Sequence, residues 1–149
     1  MTVVSEDVLA ILAGTPLFEG VSREELEQVA TRFQERRYAE ASGVVTEGAA
    51  GVEFFVVLDG TADIEAGGAT VGSLGRGDFF GEVAALDQGP RTASVRATSA
   101  LRCLALPNGA LPGFLVDHPR VAVNMLYVSV RRFQVAMTSG RRTGGGAAQ

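Results

Sequence analysis

The sequence predicts a mainly β protein with flanking helices, on three observations. Between about residues 36 and 106, short apolar runs recur, each closed by glycine-containing turns; that pattern favours a jelly-roll or sandwich over a parallel sheet. Helical periodicity is confined to the two ends of the chain. A length of 149 residues with 46% apolar composition suits one domain with a proper core. The expected layout is a single domain over 1–138, with helices over about 6–34, a β-barrel over about 36–106, and C-terminal helices over about 107–138. The glycine-rich stretch 139–149 has the composition of a flexible tail.

Asp7 to Ala13 reads as a short helix stopped at Gly14, and Leu17 and Phe18 in the following connector are expected to plug the barrel edge. A second helix opens with Ser22 and Glu25 as a capping box and Val21 and Leu26 as a hydrophobic staple. Leu26, Val29, Ala30 and Phe33 then recur at i, i+3, i+4 and i+7, which makes one buried face. From Arg37 the period becomes that of strands. Expected strands cover 43–48, 52–58, 61–65, 70–74, 91–97 and 101–106, with turns at Gly48, Asp59-Gly60, Gly67-Gly68 and 75–78. Asp59-Gly60 is a strong hairpin signal, because a type I′ turn needs positive φ at both central residues.

The informative stretch is Gly77 to Val95. It places a carboxylate, Glu82, and a guanidinium, Arg91, among small and apolar residues. A buried charge is costly unless paired. A short helix-compatible run opens at Gly81, and the N–H groups of its first turn lack intrahelical acceptors. They form an anion seat that a glycine lets a phosphate approach closely. Beyond the turn 87–90, Arg91 can return its planar fork to the same phosphate. Glu82 can accept from a ribose 2′-hydroxyl, as acidic residues do in dinucleotide sites.

Phe80-Gly81-Glu82-Val83-Ala84, followed by Pro90-Arg91-Thr92-Ala93-Ser94, resembles the phosphate-binding cassette of cyclic nucleotide-binding domains. That family includes catabolite-activator regulators, kinase regulatory subunits and cyclic-nucleotide-gated channels. The resemblance covers about Leu17 to Phe133 and implies a jelly-roll of the double-stranded β-helix type. It implies that Arg91 pairs with the cyclic phosphate and that Glu82 holds the 2′-hydroxyl. Amides near Gly81, Val83, Ala84 and Ala93 complete the cradle. Thr92 stands where the family places Thr or Ser in cyclic GMP sites and also in sites that respond to cyclic AMP; cyclic AMP is favoured over cyclic GMP. Family members often carry an acidic residue in the loop around 49–51, where this chain has Ala-Ala-Gly; that loop is expected to face away from Arg91 and Glu82.

At the C-terminus, a helix is expected from Pro119 to Met137. Val123, Leu126, Val130, Phe133 and Met137 line one side, while Val121, Met125, Val128 and Val135 line nearly the opposite side, interrupted by Arg132. Two stripes predict packing on the barrel with one and on a partner helix with the other, hence a homodimer. The family resemblance makes Tyr127 and Arg131 candidates for the base.

Other functions are disfavoured. A net charge of −4 argues against direct nucleic-acid binding, and no apolar run is long enough to span a bilayer. A single histidine, His118, gives neither a metal-binding cluster nor a base for Cys103, so no enzyme activity and no cofactor are expected. The lone Cys103 in an apolar run fits a buried core residue in a reducing, cytoplasmic setting. The remaining rival is a degenerate jelly-roll that keeps the fold as a dimerisation or scaffold module without a ligand.

Overall fold

The computed structural model describes residues 5–147 except Gln88 and Asn108; from 139 onward only the backbone is described. The described residues form two antiparallel four-stranded sheets. One has the order β1 (Gln34–Tyr38), β8 (Leu101–Leu106), β3 (Phe54–Asp59), β6 (Phe79–Phe80). The other has the order β2 (Gly43–Val45), β7 (Ser94–Ala97), β4 (Ala62–Ala66), β5 (Ala69–Leu74). Consecutive strands in different sheets are the mark of the expected jelly-roll.

Two apolar clusters explain the patterning. Phe54, Val56, Leu58, Leu104 and Leu106 face the helices, whereas Phe55, Val57, Cys103 and Ala105 face the opposite sheet. Strand β3 is therefore covered on both sides, which is why it reads as a continuous apolar run rather than an alternating one. On the helical side sit α1 (Glu6–Ala13), a 3-10 turn over Pro16–Phe18, α2 (Arg23–Thr31) and α4 (Leu111–Asp117). Leu17 and Phe18 are fully sequestered there, as is the predicted α2 face.

Several local expectations are corrected. The Asp59-Gly60 turn does not close a hairpin. It carries the chain from β3 to β4 in the other sheet, with Gly60 at φ +93 and a Cβ there 2.2 Å from the Ala100 carbonyl oxygen. The two-residue hairpin is instead Gly67-Gly68, both at positive φ, between paired Ala66 and Ala69. The Ser22–Glu25 capping box is half made. Ser22 Oγ accepts from the Glu25 N–H at 3.2 Å, but the Glu25 carboxylate turns to Nδ1 of His118, 2.9 Å away. Two strands escaped the sequence reading: β1, because its QERRY sequence is charged, and β6, because two residues give no period.

Helix α5 spans Pro119–Ala147 and so continues through the stretch read as a flexible tail. Ala148 and Gln149 lie outside the described residues. The early part of α5 is clamped to the 3-10 turn, where Asn124 Nδ2 donates to the carbonyls of Leu17 and Glu19 at 2.9 and 2.8 Å. Val121 and Met125 are buried in the helical cluster and Val128 packs against it, while Leu126 and Phe133 are 64% and 65% exposed.

Candidate functional site

Strand β6 is short because Gly81, at φ +88, breaks it and turns the chain into α3 (Glu82–Asp87). No other residue fits there: a Cβ would lie 2.7 Å from the Glu53 carbonyl oxygen and 2.9 Å from Arg91 Nη1. The Ala85 N–H makes the first helical bond, to the Gly81 carbonyl at 3.1 Å. The amides of the preceding residues of that turn are thus left without helical acceptors.

Arg91 enters from the segment before β7 and is only 6% exposed. Its Nη1 donates to the Gly81 carbonyl at 3.3 Å and its Nη2 to the Glu53 carbonyl at 3.0 Å. The guanidinium carbon lies 6.0 Å from the Phe55 ring centre, and Phe55 stacks on Phe80 with centres 4.8 Å apart. No side-chain carboxylate lies within ion-pair distance of it among the described residues. Glu53 is taken by Arg36 and Glu82 by Arg132. Burial accordingly pulls the Arg91 pKa down, against the weaker pull of Glu53 and Glu82. Burial likewise pushes the Glu82 carboxyl up, despite its own backbone hydrogen bond and the nearby guanidinium groups of Arg132 and Arg91.

All seven sequence-predicted positions, Gly81, Glu82, Val83, Ala84, Arg91, Thr92 and Ala93, line one cavity of about 120 Å³. Apolar residues of both sheets, Val45, Ile64, Phe79, Phe80 and Val95, complete its walls. The turn 87–90 that brings Arg91 back includes Gln88, outside the described residues.

Two expectations about neighbours fail. The loop 48–51 does not face away; it wraps Arg91. The Gly48 N–H donates to the Arg91 carbonyl at 2.8 Å, the Arg91 N–H donates to the Ala49 carbonyl at 2.9 Å, and a Cβ at Gly51 would sit 2.8 Å from Arg91 Nε. Tyr127 and Arg131 line a separate groove of about 540 Å³ beside the 3-10 turn. That larger depression contains neither Arg91 nor Glu82, so size alone does not locate the site. The α5 residue that reaches the cavity is Arg132. Its Nη2 donates to the Phe79 carbonyl at 2.7 Å, its Nη1 lies 3.5 Å from Glu82 Oε1, and its guanidinium sits 4.2 Å from the Phe79 ring centre. In the sequence it stood out as the charge that interrupted an apolar stripe.

The match to known proteins agrees with this geometry. The family model described as "Cyclic nucleotide-binding domain" matches residues 35–118. The chain belongs to the cyclic nucleotide-binding domain family. It is 38% identical over 135 residues to a cAMP-dependent protein kinase regulatory subunit of Mycosarcoma maydis, covering 80% of this chain and 26% of that protein. It is 32% identical over 130 residues to the cyclic AMP receptor protein of Thermus thermophilus, covering 84% and 60%. The crystal structure of the Thermus thermophilus catabolite activator protein superposes with a TM-score of 0.76 at 31% identity, over 84% of this chain and 61% of that one. The chain thus spans about a quarter and three fifths of the two curated relatives. Such a domain has a regulatory role in this family. Among the described residues, no group of three or more His, Cys, Asp or Glu could hold a metal, and no helix is long and apolar enough to cross a membrane.

Proposed function

We propose that this chain is a cytoplasmic sensor domain that binds a cyclic mononucleotide, cyclic AMP in preference to cyclic GMP, and passes binding to α5. The observation that carries the reading is Arg91: a buried guanidinium whose hydrogen bonds among the described residues all go to carbonyl groups, beside the α3 amides that lack helical acceptors. A cyclic phosphodiester supplies the missing negative charge. In this reading the amides near Gly81, Val83, Ala84 and Ala93 and the Thr92 hydroxyl cradle the same phosphate and Glu82 accepts from the ribose 2′-hydroxyl, roles supported by all of these residues lining one cavity.

At about 120 Å³ the cavity is smaller than typical ligand pockets of roughly 300–1,000 Å³. Arg132 leans over it from α5 while bonded to β6 and α3. Seating a nucleotide therefore displaces Arg132 or α3, and either movement is felt by α5. A coupling of about 1–3 kcal/mol makes a useful switch. The exposed stripe of Val123, Leu126, Val130, Phe133 and Met137 has the three- and four-residue steps of a coiled-coil seam, which supports a homodimer through α5.

A thermal-shift screen against cyclic AMP, cyclic GMP and 5′-AMP tests the reading. At a hundredfold excess over its dissociation constant, a true ligand stabilises by about 2.7 kcal/mol, and the expected order is cyclic AMP, then cyclic GMP, with 5′-AMP inert. No shift with any cyclic mononucleotide overturns the sensor in favour of a ligand-free scaffold.

A further inference from the structure

The guanidinium of Arg91 is aimed by a chain of contacts that begins outside the cavity. Its Nη2 rests on the carbonyl of Glu53. Residues 51–53 precede β3, and the Glu53 carbonyl shares its planar peptide with the N–H of Phe54, the first ladder residue, paired with Leu106, so the sheet constrains that peptide from its C-terminal side only. Gly51, two residues earlier, leaves the backbone freer still. On the N-terminal side the anchor within reach is the Glu53 side chain, whose Oε2 lies 2.5 Å from Arg36 Nη2. Arg36 stands on β1, where it is registered opposite Cys103 in β8, so this end of the chain is anchored in a full ladder. Both side chains of the pair are about one-third exposed. Such pairs add little to stability, which leaves geometry as the role of this one.

We propose that Arg36 and Glu53 are positioning residues for Arg91. The Arg36–Glu53 ion pair holds the peptide whose carbonyl holds the phosphate-binding guanidinium. The proposal rests on the cyclic-nucleotide reading for its effect on affinity, and on the contacts alone for its effect on Arg91.

The test uses the whole chain with Arg36→Ala, Arg36→Lys and Glu53→Gln. Two readouts apply: calorimetric titration with cyclic AMP, and the Nε–Hε resonance of Arg91 without ligand, identified by its loss in Arg91→Lys. Expected is a drop in affinity of about tenfold for Arg36→Ala and for Glu53→Gln, the scale of a small misplacement of a binding group. Arg36→Lys should recover most of it. The Arg91 resonance should be sharp in wild type and Arg36→Lys, and shifted or broadened in the other two. Unchanged affinity together with an unchanged resonance in both Arg36→Ala and Glu53→Gln overturns the inference. If wild type binds no cyclic nucleotide, the functional reading fails, while the resonance still decides whether the pair positions Arg91.

Discussion

Two arginines of this domain show opposite designs. Arg102, on β8, is matched by Glu35 at 3.0 Å through two nitrogens and by Asp7 at 3.0 Å, and these hydrogen bonds raise its pKa. Arg91, far more deeply buried, bonds among the described residues to carbonyl groups only, and its pKa is lowered. A guanidinium that serves the fold is neutralised within the fold. One that is desolvated and left short of negative charge fits the anion-binding role proposed for it.

The comparison breaks most visibly at Arg91. Arg91→Ala should weaken cyclic AMP binding by roughly 3–5 kcal/mol, because the phosphate is left unpaired in a dry site; that is about two to four decades in a calorimetric titration. Glu82→Gln comes next, at roughly 1.5–3 kcal/mol. It should also lower discrimination against 2′-deoxy cyclic AMP, measured in the same titration. Arg102→Ala should leave nucleotide affinity unchanged and cost about 1 kcal/mol or less in denaturant unfolding, as partly exposed ion pairs do. A comparable loss of affinity in Arg102→Ala would erase the distinction between the two arginines.

Smaller effects sharpen it through pH. Glu82 has a raised pKa in the folded protein, so folding opposes its ionisation. Its contribution to stability is therefore neutral in acid and turns unfavourable as pH rises from the ordinary carboxylate value of about 4.3 toward the raised one. Glu82→Gln should gain stability relative to wild type across that window, and the gap in unfolding free energy should close below it. Cys103 gives the apolar counterpart. Burial pushes its thiol up to about 12, so it should resist thiol reagents at pH 8 in the native protein and react only on unfolding.

What was legible in the sequence was what is local. Gly81, Glu82 and Arg91 lie within eleven residues, and the short-range chemistry of a helix start and a returning arginine sufficed to bring them to one cavity. The α2 face and the apolar β3 and β8 runs were legible for the same reason. Arg132 was not, because its contacts with Phe79 and Glu82 span about fifty residues and a helical wheel shows only that it interrupts a stripe. The loop 48–51 was misplaced because β2 pairs with β7, a long-range match that folds the loop onto Arg91. Asp59-Gly60 misled in another way: positive φ at Gly60 is required, but by the approach of the Ala100 carbonyl at a corner between sheets.

The most direct measurement is a crystal structure of the chain grown with cyclic AMP. It should place a phosphate oxygen in hydrogen-bond contact with the guanidinium of Arg91, the ribose 2′-hydroxyl on the carboxylate of Glu82, and Arg132 withdrawn from it. A nucleotide seated in the groove beside Tyr127 and Arg131, with Arg91 still bonded only to the Gly81 and Glu53 carbonyls, would contradict the assignment.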